Sequence, residues 1–438
     1  MSKEILKREL DIFKGHSFQG SIESSNLIQF RPINSISDAT TIEFDIPFGS
    51  DEYIDTTSIY LFVKAKLQER DGTNYEATGL KARRFSIINH PLNTMWDQVD
   101  VYLGSTLISQ SSKGYQYLAF IEALTNRNII PTIITYMWTS GFFSIFSTDY
   151  TYFDQPDLGE PYKMVQESRI FTLYGKIHGS LFTCPRFLLN GVSMHLKFIK
   201  CDDAFVCMGK PTQALLGETN PTLKLLDCSL FVRKVKLSTN LLNAHGRALQ
   251  MSRAIYPIER PIIKVLNLPS GQSSFVMDNV ILGQLPNKII FGLVTNVAYN
   301  GHKEKDPLRF QHFDLTYLTI NINGESFPKV PYTPDFRDDH DLYQREYYDF
   351  LDNIGATKTL SQPPIDYRNY KKGYCLYAFN LNCDFKFGDE YINIPREGYL
   401  TIEMKFRSNL TEALKLILYA VFDNTIKIDQ NRNVTLDY

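Results

Sequence analysis

LKLLDCSLFVRKVKLS, residues 223–238, returns near the end of the chain as LKLILYAVFDNTIKID, residues 414–429. Leu223, Lys224, Leu225, Phe231 and Lys236 of the first copy meet Leu414, Lys415, Leu416, Phe422 and Lys427 of the second, with Val235/Ile426 and Leu237/Ile428 as like-for-like apolar pairs. The offset is constant at 191 residues, and each copy closes a block of roughly 200, so the chain reads as two tandem domains of one design. Equivalent closing strands are expected, with Phe231 and Phe422 as core aromatics.

Outward from these strands the two blocks share further motifs. Ile42, Phe44 and Ile46, then Ile59, Leu61, Val63, Ala65 and Leu67, alternate with other residues at period two, the pattern of half-buried strands. Val99, Val101 and Leu103 end at Gly104 and are followed by a helix from about Gly114 to Asn126, with Tyr117, Phe120, Ile121 and Leu124 at helical spacing. The second block repeats this: Leu318, Ile320 and Ile322 lead to Asn323-Gly324, and Tyr343, Tyr347, Phe350, Leu351 and Ile354 mark a helix. Gly191 opens Val192, Met194, Leu196 and Phe198 inward, as Gly398 opens Leu400, Ile402, Met404 and Phe406. Gly104 to Gly191 is 87 residues against 74 from Gly324 to Gly398, so the first domain carries the longer loops. Its longest, about 127–174, holds Trp138, Phe142, Phe143, Phe146, Tyr150, Tyr152 and Phe153 and is too long for a plain connection. It is expected to fold as a subdomain that packs against other subunits and projects outward.

The expected organisation is an N-terminal arm, 1–37, a first domain, 38–240, and a second, 241–438. Many short strands with one helix inserted at the same place in each half describe an all-β chain of two tandem eight-stranded antiparallel jelly rolls. With 438 residues, two cores are expected. A net charge of -2 gives no global basic field for condensing nucleic acid. No apolar run reaches the length of a transmembrane helix, and MSKEILKREL lacks the core of a signal peptide. Cys184, Cys201, Cys207, Cys228, Cys375 and Cys383 form no CxxC pair and are expected to be reduced core residues, which leaves the sequons at Asn409 and Asn433 without meaning.

Several stretches carry a resemblance: Asp51-Glu52-Tyr53-Ile54-Asp55, LNTMWDQVDVYLGSTLISQSS (92–112), LNAHGRALQMSRAIYPI (242–258), DNVILGQLPNKIIFGLV (278–294), the Asn323-Gly324 turn and VPYTPDF (330–336). In this order the chain, from about Asp38 to Tyr438, resembles the hexon-like double jelly-roll major capsid proteins of Maverick/Polinton elements and related adintoviruses. The resemblance implies a structural, non-enzymatic subunit, a homotrimer with pseudo-sixfold outline that tiles an icosahedral shell. It also implies neighbouring capsomers and a minor (penton) capsid protein as partners, a place in the virion, and assembly in the host cytoplasm or nucleus. The rival reading is a carbohydrate-binding or glycosidase-like jelly-roll protein, which would need a carboxylate pair flanking a cleft.

Motifs of catalysis are missing. GxxxxGK[ST], GxSxG, HExxH and GxGxxG do not occur, and Gly209-Lys210 runs into Pro211, which lacks the N–H a phosphate cradle would use. Catalytic, cofactor-binding and metal residues are therefore all expected to be none. His195, His302 and His312 lack ligand-like spacing; Asp335, Asp338, Asp339, His340 and Asp341 read as a helix start whose carboxylates cap free N–H groups. Arg233, Lys234 and Lys236 read as the solvated face of a strand, and Lys371-Lys372 beside Tyr367 and Tyr370 as a solvated loop rather than a nucleic-acid patch.

Overall fold

A computed structural model describes residues 19–36, 39–74, 83–109, 113–125, 139–141, 164–211, 221–358, 365–382 and 393–437. In the first half, β1 (Ile22–Phe30), β10 (Thr222–Leu237), β3 (Glu52–Gln68) and β7 (Phe171–Lys176) form one antiparallel sheet in that order. β2 (Thr41–Ile46), β8 (Met194–Lys200), β5 (Trp96–Leu103) and β6 (Thr106–Leu107) form the other. The second half repeats the order. β11 (Ala254–Leu268), β18 (Leu414–Ile428), β13 (Lys288–Thr295) and β16 (Leu376–Asn380) make one sheet, and β12 (Ser274–Gln284), β17 (Glu397–Phe406), β14 (Leu315–Ile322) and β15 (Glu325–Tyr332) the other. Matched strand for strand, both halves are eight-stranded jelly rolls with a helix between the fifth and sixth strands: α1 (Tyr115–Thr125) and α3 (Gln344–Asn353). Between the rolls lies α2 (Thr239–Met251). Among the described residues three strands stand outside this scheme, β4 (Arg83–Ile87) paired with β9 (Cys207–Pro211), and β19 (Val434–Asp437) at the edge of β18.

The alternating residues make these sheets as the sequence predicts. Leu400, Ile402, Met404 and Phe406 are buried on β17, and Ile42, Phe44 and Ile46 on β2. Phe379 of one sheet meets Phe327 and Tyr332 of the other across the second core. Asn323 (φ 51°) and Gly324 (φ 86°) both adopt the left-handed conformation that a tight two-residue hairpin turn demands.

Two expectations are corrected. The segment expected to be an arm to residue 37 is strand β1 from Ile22 to Phe30, paired along β10 from Leu237 to Leu230. An edge strand with five exposed residues in a row shows no apolar alternation, so its sequence, IESSNLIQF, hides it. The second correction concerns Phe231. β10 slips register between Leu225 and Asp227, and the bulge residue Leu226 is exposed. Beyond it Cys228, Leu230 and Val232 point into the roll and Phe231 lies half-buried on the outer face, its edge against Tyr174 at 5.7 Å. β18 runs through fifteen unbroken pairs with β11, and its Phe422 is buried with Leu418 and Ala420. The repeat therefore matches strand to strand, while one extra residue turns the middle of the first copy over.

Candidate assembly interfaces

The two rolls meet along α1. The left-handed residue Gly114 (φ 117°) opens the helix at a point where a Cβ would stand 2.9 Å from Ile263 of β11. Ten of the eleven residues of α1 are buried, because its own roll covers one side and the β11–β18 face the other. Tyr117 stacks on Tyr299 (5.8 Å) and Phe120 on Phe310 (6.4 Å). Phe310 in turn fills the space left by Gly292, whose Cβ would lie 2.5 Å from the ring. This face of the second roll is dry: Ile417, Tyr419 and Val421 are 0%, 5% and 2% exposed.

A polar chain runs through the junction from one roll to the other. Ser140 Oγ lies 3.0 Å from His90 Nδ1, His90 Nε2 3.4 Å from His178 Nε2, and His178 Nδ1 3.0 Å from Glu122 Oε2, whose Oε1 accepts from the Tyr419 hydroxyl of the second roll at 3.2 Å. The Asn93 amide orders it by donating to the Lys176 carbonyl (3.1 Å) and facing His90 Nε2 (3.0 Å), while Tyr115 donates to Asn93 Oδ1 (3.1 Å) and accepts from the His178 backbone N–H. Burial, with His178 beside it, holds the His90 imidazole well below its usual pKa, so it stays neutral, and burial followed by Glu122 pushes the Tyr419 phenol up. His90 itself is left-handed (φ 56°), fixed by its backbone bond to Gly141. LNTMWDQ thus supplies Asn93 and, through Trp96 Nε1 to the Leu92 carbonyl (2.9 Å), the stiffness of the turn. With Ser140 4% and His90 3% exposed, the chain is a buttress closed to substrate rather than a nucleophile and base. A small cavity of about 40 Å³ opens beside it, lined by Val99, Leu118, His178, Arg260 and Ile263.

Around the buttress the rolls are tied by backbone-directed bonds. Arg186 donates to the Ile255 carbonyl (2.5 Å), and Tyr256 OH accepts from Leu189 N (3.1 Å) and donates to the Phe187 carbonyl (3.2 Å). The C-terminal hairpin returns to the first roll through Arg432 to the Asn190 carbonyl (2.7 Å) and Thr106 to the Val434 carbonyl (2.9 Å). Gly191 (φ 81°) is needed here, since a Cβ would stand 2.8 Å from Arg432 Nε.

The residues singled out by sequence fall in several places. The acidic cluster does not cap α3: its N-cap is Tyr343, with no side-chain bond. Asp335 instead accepts from Arg337 and from Arg407 (2.6 Å each) and lies 2.9 Å from His340, while Asp338 and Asp341 hold Lys371 at 2.9 and 2.7 Å. The Arg337 and His340 hydrogen bonds keep the Asp335 carboxyl well below the usual carboxylate range. The Lys371-Lys372 patch is correspondingly closed, with Tyr367 stacked on Tyr343 at 4.4 Å and Tyr370 buried; the true cap in this region is Asp366, accepting from Asn369 N. Lys234 departs from the solvated reading: it is 8% exposed and donates to the Pro47 carbonyl. Arg233 pairs with Asp55 at 3.3 Å and Lys236 with Glu23 at 3.6 Å. His195 lies 3.8 Å from Glu43, His302 accepts from Glu304 N, and His312 stacks on Phe336 at 4.3 Å. Cys184, Cys201, Cys207, Cys228 and Cys375 are buried free thiols; Cys383 and most of the aromatic loop 127–174, all its quoted aromatics included, lie outside the described residues. Among the described residues no three His, Cys, Asp or Glu are grouped to hold a metal ion, and no helix is long and apolar enough to cross a membrane.

The arrangement of rolls has counterparts among solved structures. A chain of the Sputnik virophage superposes with a TM-score of 0.66, covering 100% of this chain and 93% of its own at 13% identity. The Faustovirus major capsid protein gives 0.57 (97% and 92% covered, 9% identity) and the mavirus major capsid protein 0.54 (100% and 96%, 10% identity). In sequence, an uncharacterized protein of Caenorhabditis elegans is 21% identical over 409 residues, 90% of this chain and 93% of its own length. No family model matches. At such identities the likeness establishes the double jelly-roll fold.

Proposed function

We propose that this chain is a major capsid protein: a structural, non-enzymatic subunit whose two rolls, three copies each, form a pseudo-hexameric capsomer of an icosahedral shell. The observation that carries the reading is the end-to-end match to a chain of the Sputnik virophage and to the major capsid proteins of mavirus and Faustovirus, covering 97–100% of this chain. Rigid coupling of the rolls by α1 and the buttress supports it, because a capsomer needs a fixed angle between its lobes. Within this proposal the rolls divide near residue 240, the lineage is that of the Maverick/Polinton capsid proteins, and the partners are neighbouring capsomers and a minor penton protein. The product resides in the virion, and the host compartment of assembly is the cytoplasm or nucleus. Electron microscopy of the purified protein tests it. Six-lobed trimers or closed shells are expected; a monodisperse single chain at micromolar concentration overturns it.

A further inference from the structure

The contact that joins the rolls within a chain has an unused counterpart at each end of the chain. In the second roll the outer face of the β11–β18–β13–β16 sheet is sealed by α1 and Phe310. The matching face of the first roll, on β1–β10–β3–β7, carries Tyr60, Phe62, Tyr174 and Phe231, all only half-buried. These rings already pack on one another, Tyr60 on Tyr174 at 5.4 Å and Tyr174 against Phe231 at 5.7 Å, so they form a firm aromatic floor. Pairing and alternation put Lys64, Lys66, Lys176 and Lys224 on the same face, with Asp227 opposite Lys64 and, towards one end, Asp55 bound to Arg233.

At the opposite end stands α3, the counterpart of α1. Where α1 buries ten of eleven residues, α3 buries only Glu346, Phe350 and Leu351 of its ten. Gln344, Arg345 and Tyr348 face solvent, Tyr348 60% exposed, flanked by half-buried Asp349 and Asp352. Arg345 pairs with Asp349 and Lys371 with Asp338, and Asp339 adds an exposed acid nearby. The basic aromatic floor and the acidic helix therefore complement each other, and no single chain can bring them together as α1 and β18 are brought together.

We propose that α3 of a second copy of this chain seats on the Tyr60–Tyr174–Phe231 face, repeating between chains the contact that α1 makes on β11–β18 within one. The junction is head-to-tail: floor and helix are different surfaces, so it propagates until a ring closes, and the capsid-subunit reading sets that ring at three chains. Its polar character suits surfaces that stay soluble until assembly, unlike the apolar junction inside the chain, which is never exposed. This assignment rests on the capsid-subunit reading and specifies the surfaces it uses.

The test measures particle mass by sedimentation for the full chain and for Phe231→Lys and Tyr348→Lys, with circular dichroism and melting to confirm that both fold. The parent is expected at three chains and each variant at one. Mixed in equal amounts, the variants retain one good floor and one good helix between them and should form a particle of two chains, twice 50.5 kDa, that cannot close. Lys64→Glu, at an exposed position, gives the same reading should Phe231→Lys fail to fold. Variants that stay trimeric, or a mixture that rebuilds three-chain rings or stays monomeric, overturn the assignment while leaving the capsid reading in place. A monomeric parent overturns the capsid reading itself.

Discussion

Phe231 and Phe422 occupy matching places in the repeat, yet replacing each by Ala should have very different costs. Phe422 is 4% exposed, with the Arg260 guanidinium 5.0 Å above its ring. Truncating a buried phenylalanine costs about 3–5 kcal/mol, the lost transfer energy plus the cavity. Phe231 is half-exposed, and its clearest contact is the edge of Tyr174, an aromatic pair worth about 0.5–1.5 kcal/mol. The two variants should therefore differ by about 3 kcal/mol. For a domain of this size that corresponds to about 6–12 °C in melting temperature. The assay is thermal and urea unfolding of dilute protein, below the concentration of assembly, so that only the fold is read. Equal losses, or a larger loss at Phe231, would falsify the bulge at Leu226 as the element that turns the strand over.

Tyr419→Phe removes the only link of the polar chain contributed by the second roll and leaves Glu122 Oε1 short of a donor; a loss of about 1–3 kcal/mol is expected in urea midpoint, and none would show that the buttress bears no strain. Burial pushes the Asp306 carboxyl up to about 6 from 3.8, so the folded chain holds its proton longer: the stability it contributes is full below about 3.8 and lost as pH rises through 6. Asp306→Asn, which can still accept from Leu308 N, should melt higher than the parent at pH 8 and equally at pH 4; no difference at pH 8 refutes this. His312 acts oppositely, pushed down by burial to about 4, so its stability is present above 6.5 and lost as pH falls through 4; His312→Phe should narrow the parent's loss between pH 6.5 and 4, and an unchanged acid limb counts against it. Gly246 sits inside α2 with nothing within 4 Å of a Cβ, so Gly246→Ala should raise stability by about 0.5–1 kcal/mol, and a lower melting point would place the glycine in an unseen contact.

Where burial falls on one face of a regular strand, the residues spell out the structure. β8, β14 and β17 were legible for this reason, as were both inserted helices and the Asn323-Gly324 turn. β1 was not, because a strand at the rim of a sheet owes its place to backbone pairing with β10, which any polar side chain permits. The bulge at Leu226 was hidden by the repeat itself, since the apolar identities at both ends continue across it. The buttress was beyond reach for another reason: Ser140, His90, His178, Glu122 and Tyr419 are scattered over 330 residues of chain and carry no local signature. Asp335 misled because an acid shortly before a helix is the usual sign of a cap, and only the fold brings Arg407 to it.

The placing of β10 and β18 has a consequence for synthesis. Each is the last of its roll's eight strands to be made, yet each lies between the first and third. While the ribosome is still translating residues 414–428, β11 has no strand to pair with in its sheet and β13 has only β16, so the second roll can close only once β18 has been made. A product stopped before residue 414 lacks the middle of a sheet rather than a rim. Such a fragment cannot present a finished surface to a full-length chain, so incomplete translation removes molecules from the assembling pool instead of building faults into it.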